Sequence, residues 1–294
     1  MNKKKISKNT RNNLIAYSFI GIWIFGFMLF MAFPLISSLV YSLSDVVIRG
    51  TGIELKLSGF KNFIAIFKIE EGFIFLEALT DFLVELLFQL PIIIVFSVII
   101  AVLLNQPLKG RAFFRSVFFL PVIISSGPVI NELISQGAGG TNILNSYGFI
   151  SIIEANLNPA LAKPLITLFS EIIIVFWFSG VQILIILAGL QKIDRSVYEA
   201  AGVDGAGPWE KFWKITLPSL SNLIFVNIIY TVVLLATFSE NKVIVLIRSN
   251  MIKVGYGIAS AMAWIYFLVV LAVLGILALL FMPRERKRKK RFGS

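Results

Sequence analysis

Long apolar runs broken by short polar stretches set the pattern of this chain. Runs of about 20 residues, the length an α-helix needs to cross a bilayer, occur at 16–40, 82–104, 113–133, 164–190, 220–237 and 257–282. They predict an all-α integral membrane protein with six transmembrane helices. The segments between them at 41–81, 134–163 and 238–256 hold the Gly and Asn clusters, such as Gly137, Gly139, Gly140 and Asn142, and read as short loops rather than domains. On the other side the connections are short except for 191–219, which is polar, carries both charge signs and still has apolar residues at helical spacing.

An even number of spans puts both termini on one side, and charge chooses which. Lys3, Lys4, Lys5, Lys8 and Arg11 precede the first run, and seven further cations follow the last between Arg284 and Arg291. Placing the termini in the cytoplasm puts 19 of the 27 Lys and Arg residues inside, as the positive-inside rule requires. The organisation that follows is a basic cytoplasmic N-terminus at 1–13, a six-helix membrane domain at 14–283 and a basic cytoplasmic tail at 284–294. The tail reads as an anchor on anionic membrane lipid, at about 1 kcal/mol per cation near the surface. The first run is too long for the core of a cleavable signal peptide, about 7–15 residues, and reads as a retained anchor.

Composition narrows the chemistry. With 57% hydrophobic and 15% charged residues the chain is too apolar for a soluble domain. The net charge of +11 sits mostly in the two terminal clusters, so membrane topology rather than nucleic acid accounts for it. There is no Cys and no His, which removes disulfides, thiol nucleophiles, the usual zinc sites and the commonest general base. The Gly-rich stretches lack the lysine of a phosphate-binding loop, so the chain itself is not expected to be an enzyme or to hydrolyse ATP.

The long internal segment reads as helix, break, helix. Asp194 can cap a first helix through Ala201; Gly205, Gly207 and Pro208 force a turn; Phe212, Trp213 and Ile215 give a second segment an apolar face. Small Ala200 and Ala201 permit close approach by another surface. Trp209, Phe212 and Trp213 are large anchors of the kind found at interface cores, more than a loop of this length can bury alone. The competing reading is an amphipathic hairpin lying on lipid.

Glu199, Ala200, Ala201, Gly205, Ile215, Leu217 and Pro218 match at every position a Glu-Ala-Ala, three residues, Gly, nine residues, Ile, one residue, Leu-Pro signature. In this the chain resembles the permease subunits of bacterial ABC importers, most closely the carbohydrate branch. Phe33-Pro34, residues 41–45, residues 59–63, residues 111–115, Leu120-Pro121 and residues 188–191 extend the likeness over nearly the whole chain. The segment 238–256 departs from it by lacking the Thr-Gly-Gly-Pro-like turn common in that branch. The resemblance implies a sugar or oligosaccharide importer in a bacterial cell membrane. It implies that the 191–219 loop docks on a cytoplasmic ATPase dimer through Glu199, Ala200, Ala201, Asp204, Gly205, Trp209, Phe212, Ile215, Leu217 and Pro218. ATP and Mg would be bound by that partner and no cofactor by this chain. A second permease subunit and an extracytoplasmic solute-binding protein complete the implied assembly. A non-sugar solute of the same transporter class and a secondary transporter are the alternatives.

Polar groups inside apolar runs are costly and ask for a reason. Glu171, Trp177, Gln182, Asn227 and Tyr230 form the candidate substrate pathway, since a sugar needs hydrogen-bonding groups and an aromatic surface. Gln182 lies about three turns from Glu171 and shares its face, whereas Trp177 does not. The plainer reading is that these groups hydrogen-bond between helices, at about 0.6 kcal/mol each. A membrane-embedded enzyme would need paired carboxylates or metal ligands at one membrane face, and none is visible in the sequence.

Overall fold

A computed structural model of the chain describes residues 8–49, 52–106, 113, 116–117, 149–158, 162 and 175–282. Four helices among them are long and apolar enough to cross a membrane: Tyr17–Ser42, Glu70–Asn105, Pro208–Ala236 and Tyr256–Phe281. The predicted span at 113–133 lies outside the described residues except for 113, 116 and 117, and the span at 164–190 is described at Ala162 nearby and then from Val175 onward. The described residues fall into two compact units, one formed by 1–79 with 242–268 and one by 80–241 with 269–294.

In the first unit, α1 (Lys8–Phe27) runs through one π-helical turn (Met28–Ala32) into α2 (Phe33–Ser42). Most large side chains from Tyr17 to Val40 are exposed, as lipid-facing residues of a span are. The π turn has a local cause. Pro34 lacks an N–H and its ring crowds the carbonyl four residues back, and a widened turn relieves that crowding. The Phe33 N–H accordingly reaches back five residues to the Met28 carbonyl.

The segment expected as a loop at 41–81 is structured. Strands β1 (Ser44–Arg49) and β2 (Gly52–Leu57) pair antiparallel with Ser44 opposite Leu57, and α3 (Lys61–Ile66) follows. Asn62 on α3 donates from Nδ2 to the Ser42 and Ser44 carbonyls at 3.0 and 2.9 Å, and Lys61 pairs with Asp45 at 2.9 Å. Then α4 (Glu70–Asn105) begins twelve residues before the predicted span, because a hydropathy window sees only its apolar part. The other expected loop, 238–256, contains α5 (Lys242–Lys253), ended by Gly255 at φ +97°. The span α6 (Tyr256–Phe281) matches the predicted 257–282 closely. A short helix at Phe149–Asn156 lies within the third expected loop.

The second unit holds the long internal segment. A helical turn at 175–178 passes through Ser179 into α7 (Gly180–Leu190), with Ile183 N–H donating to the Ser179 carbonyl at 2.9 Å. After it come α8 (Arg195–Val203), α9 (Pro208–Lys211), a second π turn (Phe212–Thr216) and α10 (Leu217–Ala236). Val98, Ala101 and Leu104 of α4 pack with Ile183, Ile186, Leu187 and Leu190 of α7 and Leu220 of α10 in one buried cluster. The predicted fifth span at 220–237 is therefore longer than its apolar run: the helix starts at Pro208, inside the stretch expected as loop.

Candidate functional site

The seven signature residues acquire geometric roles in this second unit. Asp194 caps α8 by accepting from the Ser196 N–H at 3.0 Å, and this bond holds its carboxyl below the usual carboxylate range. At the other end Gly205 adopts φ +81°, a conformation open to glycine at little cost. Its N–H donates to the Gly202 carbonyl at 3.1 Å and the Ala206 N–H to the Ala201 carbonyl at 2.9 Å. That pair of bonds is a Schellman termination, and it fixes why the glycine stands four residues after Ala201.

The chain then restarts at once. Pro208 occupies the first helical turn, where its missing N–H costs nothing, and the Glu210 carboxylate accepts from the Gly207 N–H at 3.2 Å. Lys214 pairs with Glu210 one turn on at 3.3 Å. Before Leu217-Pro218 the helix widens, and the Leu217 N–H reaches the Phe212 carbonyl five residues back. This is the geometry found before Pro34, with the same cause.

None of the α8 residues is buried. Glu199, Ala200 and Asp204 are exposed and Ala201 is half-buried, so α8 offers a carboxylate and small side chains outward. The three aromatic residues expected to act together as anchors form one edge-to-face row, with Trp213 in the middle and Phe212 5.3 Å from it, but they differ in burial. Phe212 turns inward against the buried cluster of α4, α7 and α10, while Trp209 and Trp213 stay exposed, their rings edge to face at 5.5 Å. Ile215 and Leu217 are half-buried and Pro218 is exposed. Tyr198 and Thr216, which sequence reasoning passed over, meet at 2.8 Å between α8 and the base of α10. Tyr198 directly before the signature and Thr216 at its open position between Ile215 and Leu217 were the available signal.

Of the candidate pathway residues, Glu171 lies outside the described residues. Gln182 and Asn227 are fully buried and are brought together: the Asn227 Nδ2 donates to the Gln182 carbonyl at 3.2 Å. The Gln182 Nε2 donates to Thr231 Oγ1 at 2.9 Å, adding a buried hydroxyl that sits one turn from Asn227 on the same face of α10. Each amide is only half used. The Gln182 Oε1 and Asn227 Oδ1 are buried without a partner, as is the Trp177 Nε1. Tyr230 is half-buried on α10 beside Thr231.

No protein-family model matches the chain. It is 31% identical to the probable ABC transporter permease protein YesP of Bacillus subtilis, over 94% of this chain and 92% of that one. It is 32% identical to the lactose transport system permease protein LacF of Rhizobium radiobacter, over 80% and 79% of the two chains. Its fold is similar to that of a bacterial ABC transporter that imports alginate, with a TM-score of 0.63, 19% identity and coverage of 94% and 97%. With a signature matched throughout, membrane-length apolar helices and relatives aligned over almost the full length, the chain belongs to the ABC transporter permeases.

Proposed function

We propose that this chain is the membrane-spanning half of an ATP-driven importer for a sugar or oligosaccharide, working with a second permease, a cytoplasmic ATPase dimer and an external solute-binding protein. Six spans with both termini in the cytoplasm complete the reading, the positive-inside balance supporting that orientation. One observation carries it. The helix-turn-helix of Arg195–Val203 and Pro208–Lys211 is exposed at its tip yet continuous with an apolar helix that runs to Ala236. A partner that moves α8 therefore moves a membrane helix. The exposed Glu199, the small Ala200 and Ala201 and the exposed Trp209 and Trp213 suit a docking face for a folded partner better than for lipid.

ATP binding closes the ATPase dimer, the motion enters at Glu199 to Pro218, and a cavity in the membrane changes from inward-facing to outward-facing. The lactose relative supports the sugar class. So do the orphaned acceptors on Gln182 and Asn227 and the orphaned donor on Trp177, which fit a solute rich in hydroxyl groups.

Purifying the tagged chain from its native membrane tests the assembly: an ATPase and a second six-helix chain are expected with it. Glu199→Lys reverses the docking charge, and Gly205→Pro replaces φ +81° by a ring locked near −65°. Both are expected to release the ATPase or to let hydrolysis run without uptake. Normal transport with normal co-purification in both variants sinks the coupling role.

A further inference from the structure

We infer that the Tyr198–Thr216 hydrogen bond is the joint that makes α8 and α10 turn as one body, so that Tyr198 and Thr216 are positioning residues for energy coupling. The inference rests on the docking role of α8 proposed above and adds how the motion leaves it.

The direction of the bond follows from proton counting. The Thr216 hydroxyl has one hydrogen, which it donates to the Lys211 carbonyl at 3.3 Å, five residues back across the π turn. Its lone pairs remain for the Tyr198 hydroxyl at 2.8 Å, the arrangement that satisfies both contacts at once. Thr216 is buried, at 6% exposure, so the contact is sheltered from water that would otherwise compete for it.

The π turn creates this arrangement. An ordinary α-turn would rotate Thr216 by about 100° relative to the segment before it, away from the Lys211 carbonyl. Pro218 forbids the ordinary turn by crowding the carbonyl of Lys214. The Leu-Pro end of the signature thus sets the register at which the hydroxyl faces α8.

Mechanics explain why the bond matters. The chain holds α8 at its two ends, at Asp194 and at the Gly205 turn. A helix held only at its ends can roll about its axis without moving its neighbours. None of its residues is buried, so side-chain packing does little to prevent rolling. The Tyr198–Thr216 bond is a third fixed point off that axis, and three points define a rigid body. Rolling of α8 then swings the base of α10, the helix that carries Asn227 and Thr231.

Tyr198→Phe in the full complex, reconstituted in vesicles with its ATPase, second permease and binding protein, tests the joint. It removes one hydroxyl, keeps the ring and leaves Thr216 its own acceptor. The ATPase is expected to stay bound, while solute taken up per ATP falls about fivefold, the factor a single hydrogen bond commands. Thr216→Val is expected to do the same, the double variant no more than either single one, and Thr216→Ser to restore the ratio. Unchanged uptake per ATP in Tyr198→Phe overturns the joint, as do additive losses in the double variant or loss of the ATPase from Tyr198→Phe. Glu199→Lys run in parallel separates the failures: if that variant also couples normally, the docking role itself is wrong, whereas uncoupling there with a silent Tyr198→Phe removes the joint alone.

Discussion

Gly189 of α7 leaves no room for a β-carbon, because one placed there would meet the Leu220 Cδ2 of α10 at 2.9 Å and the Leu223 Cδ1 closer still. Leu220 is fully buried in the cluster shared by α4, α7 and α10, and Leu223 is half-buried against it, so a β-carbon would have to displace both leucine side chains. Small residues let membrane helices approach until dispersion contacts are made along both backbones. Gly189→Val is expected to destabilise the folded chain by about 1–3 kcal/mol through overpacking, seen as a lower melting temperature in detergent. Gly189→Ala should fall between the two.

Pro218 makes the opposite kind of prediction. A proline inside a helix costs about 3 kcal/mol, so Pro218→Ala should not lower thermal stability. It allows the π turn to close, which rotates the segment from Trp209 to Thr216 by about 100° against α10. Uptake per ATP should drop by about tenfold or more while the melting temperature holds or rises. A variant that melts normally and couples normally would leave the π turn without a role.

The contrast between these two sites shows what a sequence carries. The span at 257–282 was legible because every turn of α6 is apolar, and lipid exposure is what hydropathy measures. The start of α4 was not, since Glu70, Glu71, Glu77 and Asp81 make its first turns polar although they are helical. The segment 191–219 was legible in its break, through Gly205 and Pro208, and in its first cap, Asp194. Its π turn was hidden: one extra residue in a helix changes no composition, and only the repeated geometry before Pro34 and Pro218 exposes its cause. Contacts between distant residues were hidden too. Asn62 reaches carbonyls 18 and 20 residues away, and Thr231 meets a side chain 49 residues away. The inward turn of Phe212, with Trp213 still edge to face on it, follows from that same tertiary packing.

Asp194 predicts a pH response. Its carboxyl is held low chiefly by the bond from the Ser196 backbone N–H, so the folded pKa lies below the unfolded one. The cap therefore contributes fully above the unfolded value and is lost as pH falls through the folded value. Hydrogen exchange at the Ser196 and Val197 amides should accelerate beyond its intrinsic pH trend only below the ordinary carboxylate range. Asp194→Asn, which caps without titrating, should abolish that response, and Asp194→Ala should fray α8 at every pH.

The first unit depends on a small polar knot. Asn62 holds the Ser42 and Ser44 carbonyls, and Gly257 lies so close that a β-carbon there would stand 2.6 Å from the Ser44 oxygen and 2.8 Å from the Asn62 Nδ2. Asn62→Ala should cost about 1–3 kcal/mol by stranding buried acceptors. Gly257→Ala should displace the same knot with a similar loss. Faster exchange of the amides from Ser44 to Leu57 is the direct measurement in both cases.

Asn227 decides between the two roles of the buried amides. As a brace it supplies one hydrogen bond to the Gln182 carbonyl, worth about 0.6 kcal/mol inside a membrane. Against that stands its own Oδ1, buried with no partner, which costs about 1–3 kcal/mol. A residue kept only as a brace would be improved by Asn227→Leu, because the orphaned acceptor disappears with the amide. The stability of Asn227→Leu is therefore expected to equal or exceed that of the natural chain. The acceptor earns its place if it meets a sugar hydroxyl during transport, in which case KM for uptake should rise about tenfold in Asn227→Leu and in Gln182→Leu. Normal KM in both variants would return the pair to a structural role and move the solute path to other residues.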